Sequence, residues 1–158
     1  MSRISVRADR AYRRHIEPGR LKEAARLTLA HENVSGRVEL TIAITGDDQV
    51  RALNRQYRGV DSPTDVLAFG QATAEARFAA MPGAPAYLGD VIISYPRADM
   101  QASSGGHSAM DELLLLVVHG VLHLLGHDHA TRGQKRKMWA AQENVLHEMG
   151  VRVRVGRG

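Results

Sequence analysis

The feature that most limits how this chain can fold is residues 119–129, which read HGVLHLLGHDH. On a helix, His119 and His123 emerge from one face, one turn apart, and both can reach one metal ion at roughly 2.0–2.1 Å. If that helix continued, His129 would lie about 9 Å further along its axis. The spacing therefore predicts a helix that stops after His123, with Gly126 as the left-handed residue that lets the chain turn back.

The number of histidines predicts the kind of site. Three imidazoles occupy three positions around a tetrahedral metal and leave one for water or substrate, as in catalytic zinc sites. A single histidine on this helix would more simply be a hydrogen-bonded core residue, but four histidines within eleven residues are costly to bury without such a role. We predict His119, His123 and His129 as ligands of one zinc ion, although nickel, cobalt and iron also accept imidazole.

Three neighbouring residues leave alternatives open. His127 competes with His129 as the third ligand, but it lies closer to the turn. Asp128 either orients a ligand histidine or is a solvated turn carboxylate. Gly120 stands where the zinc-peptidase signature His-Glu-x-x-His has its general base. The spacing His-x3-His-x2-Gly-x2-His otherwise matches the metzincin form, so the metal frame is present while the missing glutamate disfavours a peptidase.

The composition limits the class of protein. The chain has 158 residues, the size of one ordinary domain, and no cysteine, which excludes Cys-ligated zinc, thiol nucleophiles and disulfides. Residues 1–15 carry basic side chains without an apolar core segment, so we expect no secretory signal and a cytoplasmic protein. The longest apolar stretch, residues 113–125, is shorter than the roughly 20 residues that span a bilayer.

The charge balance favours a polyanionic partner such as RNA, because the formal net charge is +4 and the sequence pI is near 9.8. A basic surface without a partner is the alternative. The two Phe, four Tyr and one Trp are too few for an extended base-stacking platform. The arginines cluster at both ends of the chain: Arg3, Arg7, Arg10, Arg13, Arg14 and Arg20, then Arg152, Arg154 and Arg157.

Hydrophobic periodicity predicts an α+β fold in a single domain, residues 1–158, with a small mixed sheet of about four strands packed with helices. The metal site is expected at the end of a long central helix. Strands are predicted at 2–8 (an edge strand), 37–45, 64–69 and 88–94. Helices are predicted at 17–33, 108–125 and 132–149, with a short one after the turn at 46–48. Residues 70–86 are predicted as a loop, and the tail 151–158 as a short strand or disordered.

The segment HGVLHLLGHDH resembles the signature H-G-x-L-H-L-x-G-Y-D-H of the YbeY family of bacterial endoribonucleases, and departs from it at His127. Two further blocks are similar to that family: LNRQYRGVDSPTDVLAF at 53–69 and LGDVIIS at 88–94. The resemblance covers most of residues 40–150.

The resemblance implies a zinc-dependent, single-strand-selective endoribonuclease linked to ribosomal RNA maturation and ribosome quality control. It also implies that His119, His123 and His129 bind the metal, and that the block N-x-x-Y-R places a functional arginine at Arg58. A guanidinium can hold a phosphodiester bidentately and stabilise its transition state. Without the resemblance, Arg58 would be an exposed arginine at a helix end. A ribosome assembly factor with a mainly structural metal is the alternative function.

Further residues are expected to have structural roles. Asp65 is predicted to cap backbone amides where a strand begins, although with Thr64 it could shape the wall of the cleft. Asp90 is an unusual carboxylate within a strand, and its role stays open. Met138 and Trp139 are expected to pack in the core.

Overall fold

A computed structural model describes residues 2–34, 36–70 and 86–153. Its strands are β1 (Arg3–Ala8), β2 (Val38–Thr45), β3 (Val66–Gly70) and β4 (Ala86–Ser94). Its α-helices are α1 (Pro18–His31), α2 (Asp47–Arg58), α3 (Tyr95–Gly105), α4 (Ala109–Leu124) and α5 (Arg132–Glu148), and a 3-10 turn spans Arg13–His15.

The four strands form one mixed sheet in the order β1-β2-β4-β3. β1 pairs parallel to β2, β2 pairs parallel to β4, and β3 closes the other edge antiparallel to β4. The predicted α+β fold with a four-stranded mixed sheet is confirmed, as is the edge position of β1. β2 shows the predicted alternation, because Val38, Leu40, Ile42 and Ile44 are all buried.

Helix α4 is the centre of the hydrophobic core and lies against the sheet. Ser108 caps its first turn by accepting a hydrogen bond from the Asp111 amide at 3.1 Å. Gly120 allows a close approach to β4, since a Cβ built there would lie 2.5 Å from Cγ1 of Val91. This contact seats the histidine-bearing end of α4 beside the sheet.

Helix α3 is not among the elements predicted from the sequence, where residues 95–105 are unassigned. The segment YPRADMQASSG has small and polar residues and buries only Ala98 and Ala102, so it lacks the apolar stripe that reveals a surface helix. Its end signals are nevertheless present. Ser94 accepts a hydrogen bond from the Arg97 amide at 3.4 Å, and Gly106 follows the helix with φ +75°.

The remaining expectations fall partly outside the described residues. Within the predicted loop 70–86, Gly70 and Ala86 are strand ends, and residues 71–85 lie outside the described part. In the tail, residues 151–153 form neither helix nor strand and Val151 is buried, whereas 154–158 are not among the described residues. In the described ranges, no helix has the length and apolar character needed to cross a membrane.

Candidate metal centre

The chain reverses direction directly after α4. Gly126 has φ +99°, and its amide donates to the His123 carbonyl at 3.0 Å. The His127 amide donates to the Leu122 carbonyl, also at 3.0 Å, which completes a Schellman motif. The predicted helix stop and the left-handed turn at Gly126 are confirmed. The turn returns the chain towards α4, and this return brings His129 back to the helix.

Three imidazoles meet at this turn. One ring nitrogen each from His119, His123 and His129 can be chosen so that all three lie within 4.8 Å of one another. The ring centroids of His119 and His123 are 4.7 Å apart, and His129 lies 5.8 Å and 5.3 Å from them. Within the described ranges, this is the one His, Cys, Asp or Glu cluster able to hold a metal ion.

The electrostatics of the cluster keep two of these imidazoles neutral. Burial lowers the pKa of His123 to about 4, helped by the nearby His119 and His129 and by the positive charge of Arg58. Burial is also the main cause of the lowered pKa of His119, and it outweighs the hydrogen bond to Gln142. Neutral imidazole is the form that binds metals, so both side chains have a free lone pair near pH 7. The donor set therefore fits a metal ion.

Gln142 of α5 orients the first histidine, and it is not among the site residues predicted from the sequence. The Nδ1–H of His119 donates to the Gln142 Oε1 at 2.6 Å, which leaves Nε2 as the nitrogen with a free lone pair. The Gln142 residue is only 1% exposed. A signal was available, because a glutamine falls among the apolar positions Met138, Ala141 and Val145 on one face of α5.

His127, the alternative third ligand, has a different partner. Its Nε2 is hydrogen-bonded with Oε1 of Glu32, the residue that follows α1, and it does not belong to the histidine cluster. Burial on its own raises the pKa of Glu32, but hydrogen bonds from His127 and His31 outweigh it and leave the pKa lowered. His127 therefore ties the turn to the end of α1.

Asp128 and Asp65 both bind backbone amides. The His129 amide donates to Asp128 Oδ1 at 2.7 Å, and the same oxygen is 3.9 Å from His129 Nδ1, which is too far to orient the ring by a hydrogen bond. Of the two alternatives for Asp128, the exposed turn carboxylate fits. The Val66 amide donates to Asp65 Oδ1 at 2.8 Å, as the strand-capping prediction requires. Asp65 also borders the cleft beside Thr64.

The histidines open into a cleft of about 580 Å³. Arg58, the last residue of α2, lies on its wall, and its side chain is exposed. The loop after Arg58 is held by Asn54, a buried residue whose Nδ2 donates to the Ser62 carbonyl at 2.9 Å. The cleft is lined by Arg58, Thr64, Asp65, Val66, Ala68, Gly120, Gly126, Asp128 and the histidines 119, 123, 127 and 129.

Both residues expected to pack in the core do so, one of them fully buried and the other partly. Met138 is fully buried, as predicted. Trp139 is only partly buried, and its ring meets His119 and His129 edge-on at centroid distances of 5.9 Å and 6.0 Å. Trp139 thus packs against the hydrophobic core, as predicted, and also adjoins the histidines. The open question of Asp90 is answered by Tyr87, whose hydroxyl donates to the Asp90 carboxylate.

The fold and the site define a class of protein: an α+β domain whose central helix carries a three-histidine centre of the kind that binds metals, in a cleft with an arginine on its wall. The family model described as "Endoribonuclease YbeY" matches residues 9–150. The chain therefore belongs to the endoribonuclease YbeY family.

Individual relatives agree with this assignment. The chain is 42% identical to Endoribonuclease YbeY of Roseiflexus sp. strain RS-1 over 149 residues, covering 94% of this chain and 93% of that one. It is 45% identical to Endoribonuclease YbeY of Geobacillus kaustophilus over 133 residues, covering 83% of each. The solution structure of TM1509 from Thermotoga maritima is similar in fold, with a TM-score of 0.57, 25% identity, and coverage of 93% of this chain and 91% of that one.

Proposed function

We propose that this protein is a metal-dependent endoribonuclease selective for single-stranded RNA, and that zinc held by His119, His123 and His129 is its cofactor. The observation that carries the proposal is the convergence of the three imidazoles in an open cleft that also contains Arg58. The names of the relatives supply the substrate class, since they are endoribonucleases.

Imidazole donors and a fourth open position are what catalytic zinc sites use. When bound, zinc supplies a Lewis acid for a phosphoryl oxygen and lowers the pKa of coordinated water. Gln142 holds His119 in the tautomer whose Nε2 would be free to bind the ion. The cleft leaves room beside the histidines for a phosphodiester.

Arg58 is proposed as the phosphate clamp. Its guanidinium lies on the cleft wall, and its positive charge contributes to the lowered pKa of His123. Two parallel N–H donors match two phosphate oxygens, and they stabilise the extra negative charge that develops as the phosphodiester is cleaved. Asn54 and the left-handed Gly59, with φ +70°, shape the chain that follows Arg58.

The finer biological assignment also belongs to this proposal. We propose that the substrate is ribosomal RNA, that the protein acts in the cytoplasm on ribosomes or ribosomal subunits, and that residues 1–158 work as one domain. The net charge of +4 supports a polyanionic substrate.

The decisive assay compares a single-stranded RNA with its all-deoxy analogue and with a duplex of the same sequence. We expect the wild-type protein to cleave the single-stranded RNA and to leave the other two intact. His123→Ala should reduce this cleavage to background, because one of three ligands is lost. Undiminished cleavage by His123→Ala would rule out the metal mechanism.

Elemental analysis of the purified protein identifies the metal, with about one zinc ion per chain expected. The zinc-loaded protein then allows a test of the alternative function, an assembly factor with a mainly structural metal. None of the three histidines is fully buried, so chelation should abolish cleavage while the cooperative thermal transition survives. Unfolding on chelation would instead support the structural role.

A peptidase is disfavoured by the packing of Gly120 as well as by its identity. The glutamate of the peptidase signature would place its Cβ 2.5 Å from Cγ1 of Val91, where there is no space for it. Strong cleavage of casein would contradict this conclusion.

A further inference from the structure

A second, shallow cavity of about 370 Å³ lies on the first two turns of α5. Its volume is within the range of small-ligand sites, roughly 300–1,000 Å³. Three of its four lining side chains are cationic and the fourth is the only tryptophan of the chain: Arg132, Lys135, Arg136 and Trp139.

Trp139 connects this cavity with the metal centre. Its ring contacts His119 and His129 edge-on, at 5.9 Å and 6.0 Å between centroids, and it also lines the cavity. The Lys135 ammonium lies 5.7 Å from the centre of the same ring, so an aromatic surface and a cation are presented together. Trp139 therefore adjoins the histidines and lines this cavity as well.

The cationic side chains of the cavity lie near the N-terminal end of α5, whose partial positive charge repels them. The first turn of α5 has no acidic residue, and Arg132, Lys135 and Arg136 lie near the positive end of the helix dipole. By contrast, α2 begins with Asp47 and Asp48. A bound anion would relieve this repulsion, which points to a polyanionic ligand.

An indole surface beside several cations is the combination that binds single-stranded nucleic acid. A base stacks on the aromatic ring, and Lys or Arg side chains neutralise the adjoining phosphates. An acidic peptide would pair its carboxylates with the cations, but these carboxylates would not stack on the indole ring.

From this juxtaposition we infer that Trp139, with Arg132, Lys135 and Arg136, forms a subsite for a nucleotide flanking the scissile phosphate of single-stranded RNA. This inference rests on the proposed function, because it takes RNA as the substrate of the neighbouring cleft. Trp139 contacts an unpaired base, and the three cations hold the phosphates on either side of it.

The single tryptophan allows a direct binding test on the full-length, metal-loaded protein. All intrinsic tryptophan fluorescence comes from Trp139, and we expect a short oligo(dT) strand to quench it in a saturable way. The strand is checked on a gel for integrity, so binding is measured without cleavage. A lack of quenching while the same strand binds, as shown by anisotropy of a label on it, would overturn the subsite.

Charge variants test the phosphate contacts. Arg132→Gln/Arg136→Gln should lower the slope of log affinity against log salt by about 1.4, since each single-strand phosphate contact contributes about 0.7. Lys22→Gln/Arg26→Gln removes the same charge from α1, where neither residue lines either of the two cavities described above, and should leave the slope close to wild type. An equal change of slope in both double variants would show that the effect comes from overall charge, and it would overturn the subsite.

Removing the aromatic surface tests the stacking contact. Trp139→Leu should weaken binding of the labelled strand about 5- to 150-fold, the range for loss of one stacked base. Its melting temperature and zinc content separate this loss from a folding defect. If Trp139→Leu does not bind zinc, Lys135→Gln serves instead, and it should raise KM for RNA cleavage while kcat is unchanged.

The outcomes distinguish this inference from the proposed function. Quenching and the expected variant effects without any RNA cleavage would support a single-strand binding site at Trp139 and contradict the nuclease, so that no phosphate beside it would be scissile. Normal cleavage of RNA with no quenching and no effect of the charge variants would contradict the subsite alone. Equal quenching by poly-glutamate would show an acidic-peptide site and overturn the assignment to nucleic acid.

Discussion

Helix α4 has a hydrogen-bonded histidine at each end, and the two have different partners. Before its first turn, the Nε2 of His107 lies 2.5 Å from Oε1 of Glu112, and both side chains are less than a tenth exposed. Near its last turn, the Nδ1–H of His119 donates to Oε1 of Gln142 at 2.6 Å. The two hydrogen bonds are almost equal in length, yet only the second histidine belongs to a metal-type cluster.

The two ends of α4 differ in the charge of the histidine's hydrogen-bond partner and in the groups that lie near the histidine's second ring nitrogen. The carboxylate of Glu112 is an acceptor that already occupies Nε2 of His107, whereas the amide oxygen of Gln142 accepts from Nδ1 of His119 and leaves Nε2 free. Two further imidazoles, His123 and His129, then lie close to His119. A buried histidine is thus recognisable as a candidate ligand from its surroundings rather than from its burial.

The largest effect is expected when the same substitution is made at both ends. His119→Ala should lose the metal and reduce RNA cleavage to background, because a proposed ligand is removed. His107→Ala should retain both, since its ring lies at the other end of the helix. Zinc content and cleavage rate are measured for both variants. Loss of zinc from both would contradict the proposed difference between the two ends of α4.

A smaller effect is expected when Gln142 is changed. Gln142→Leu should lower the metal affinity or the cleavage rate about 10- to 100-fold, because His119 loses the acceptor that orients it. Gln142→Glu retains an acceptor and should restore most of the affinity. Competition with a chelator measures it, and unchanged affinity in Gln142→Leu would show that packing alone orients the ring.

At the other end of α4, Glu112→Leu should lower the free energy of unfolding by about 1–3 kcal/mol, because a buried His107 nitrogen is left without its partner. Urea denaturation measures this change. Zinc content should stay at the wild-type level. A variant that keeps its stability but loses zinc would contradict the structural role of this pair.

The smallest expected effect is a pH dependence of the metal-free protein. The pKa of His123 is about 4 in the folded state against 6.5 for the free side chain, so between these values the unfolded chain binds more protons. Stability should therefore fall as the pH falls from about 6.5 towards about 4. Urea midpoints across this range measure the effect, and His123→Gln should reduce it. If the urea midpoint changed equally with pH in the wild type and in His123→Gln, His123 would not be the cause of the pH dependence.

Most elements of the fold were predictable because their signals are local. The alternation in residues 37–45 and the apolar run before His119 depend on neighbours a few residues apart, and the structure has a strand and a helix there. Helix α3 was missed since its residues are small and polar, and tertiary contacts with the core compensate for the absent stripe. The predicted boundaries differ from the observed ones by one or two residues at most ends.

The site was predictable only in part. Gly126 could be identified because a turn of this kind needs a left-handed residue, and that requirement is visible in the sequence. The hydrogen bond of His127 with Glu32 joins residues 95 positions apart, and that of His119 with Gln142 joins residues 23 apart. Such pairings depend on how helices pack, and no local pattern reveals them.

The sequence by itself determined that His119 and His123 share a helix face and that the chain must turn at Gly126 before His129. These are consequences of helix geometry and backbone conformation, which act over a few residues. The tertiary structure alone decided that His129 rather than His127 completes the cluster, that Gln142 orients His119, and that Arg58 and Trp139 lie beside it. Those arrangements arise from the packing of α1, α2 and α5 around α4 and the sheet, where each position depends on residues distant in the chain.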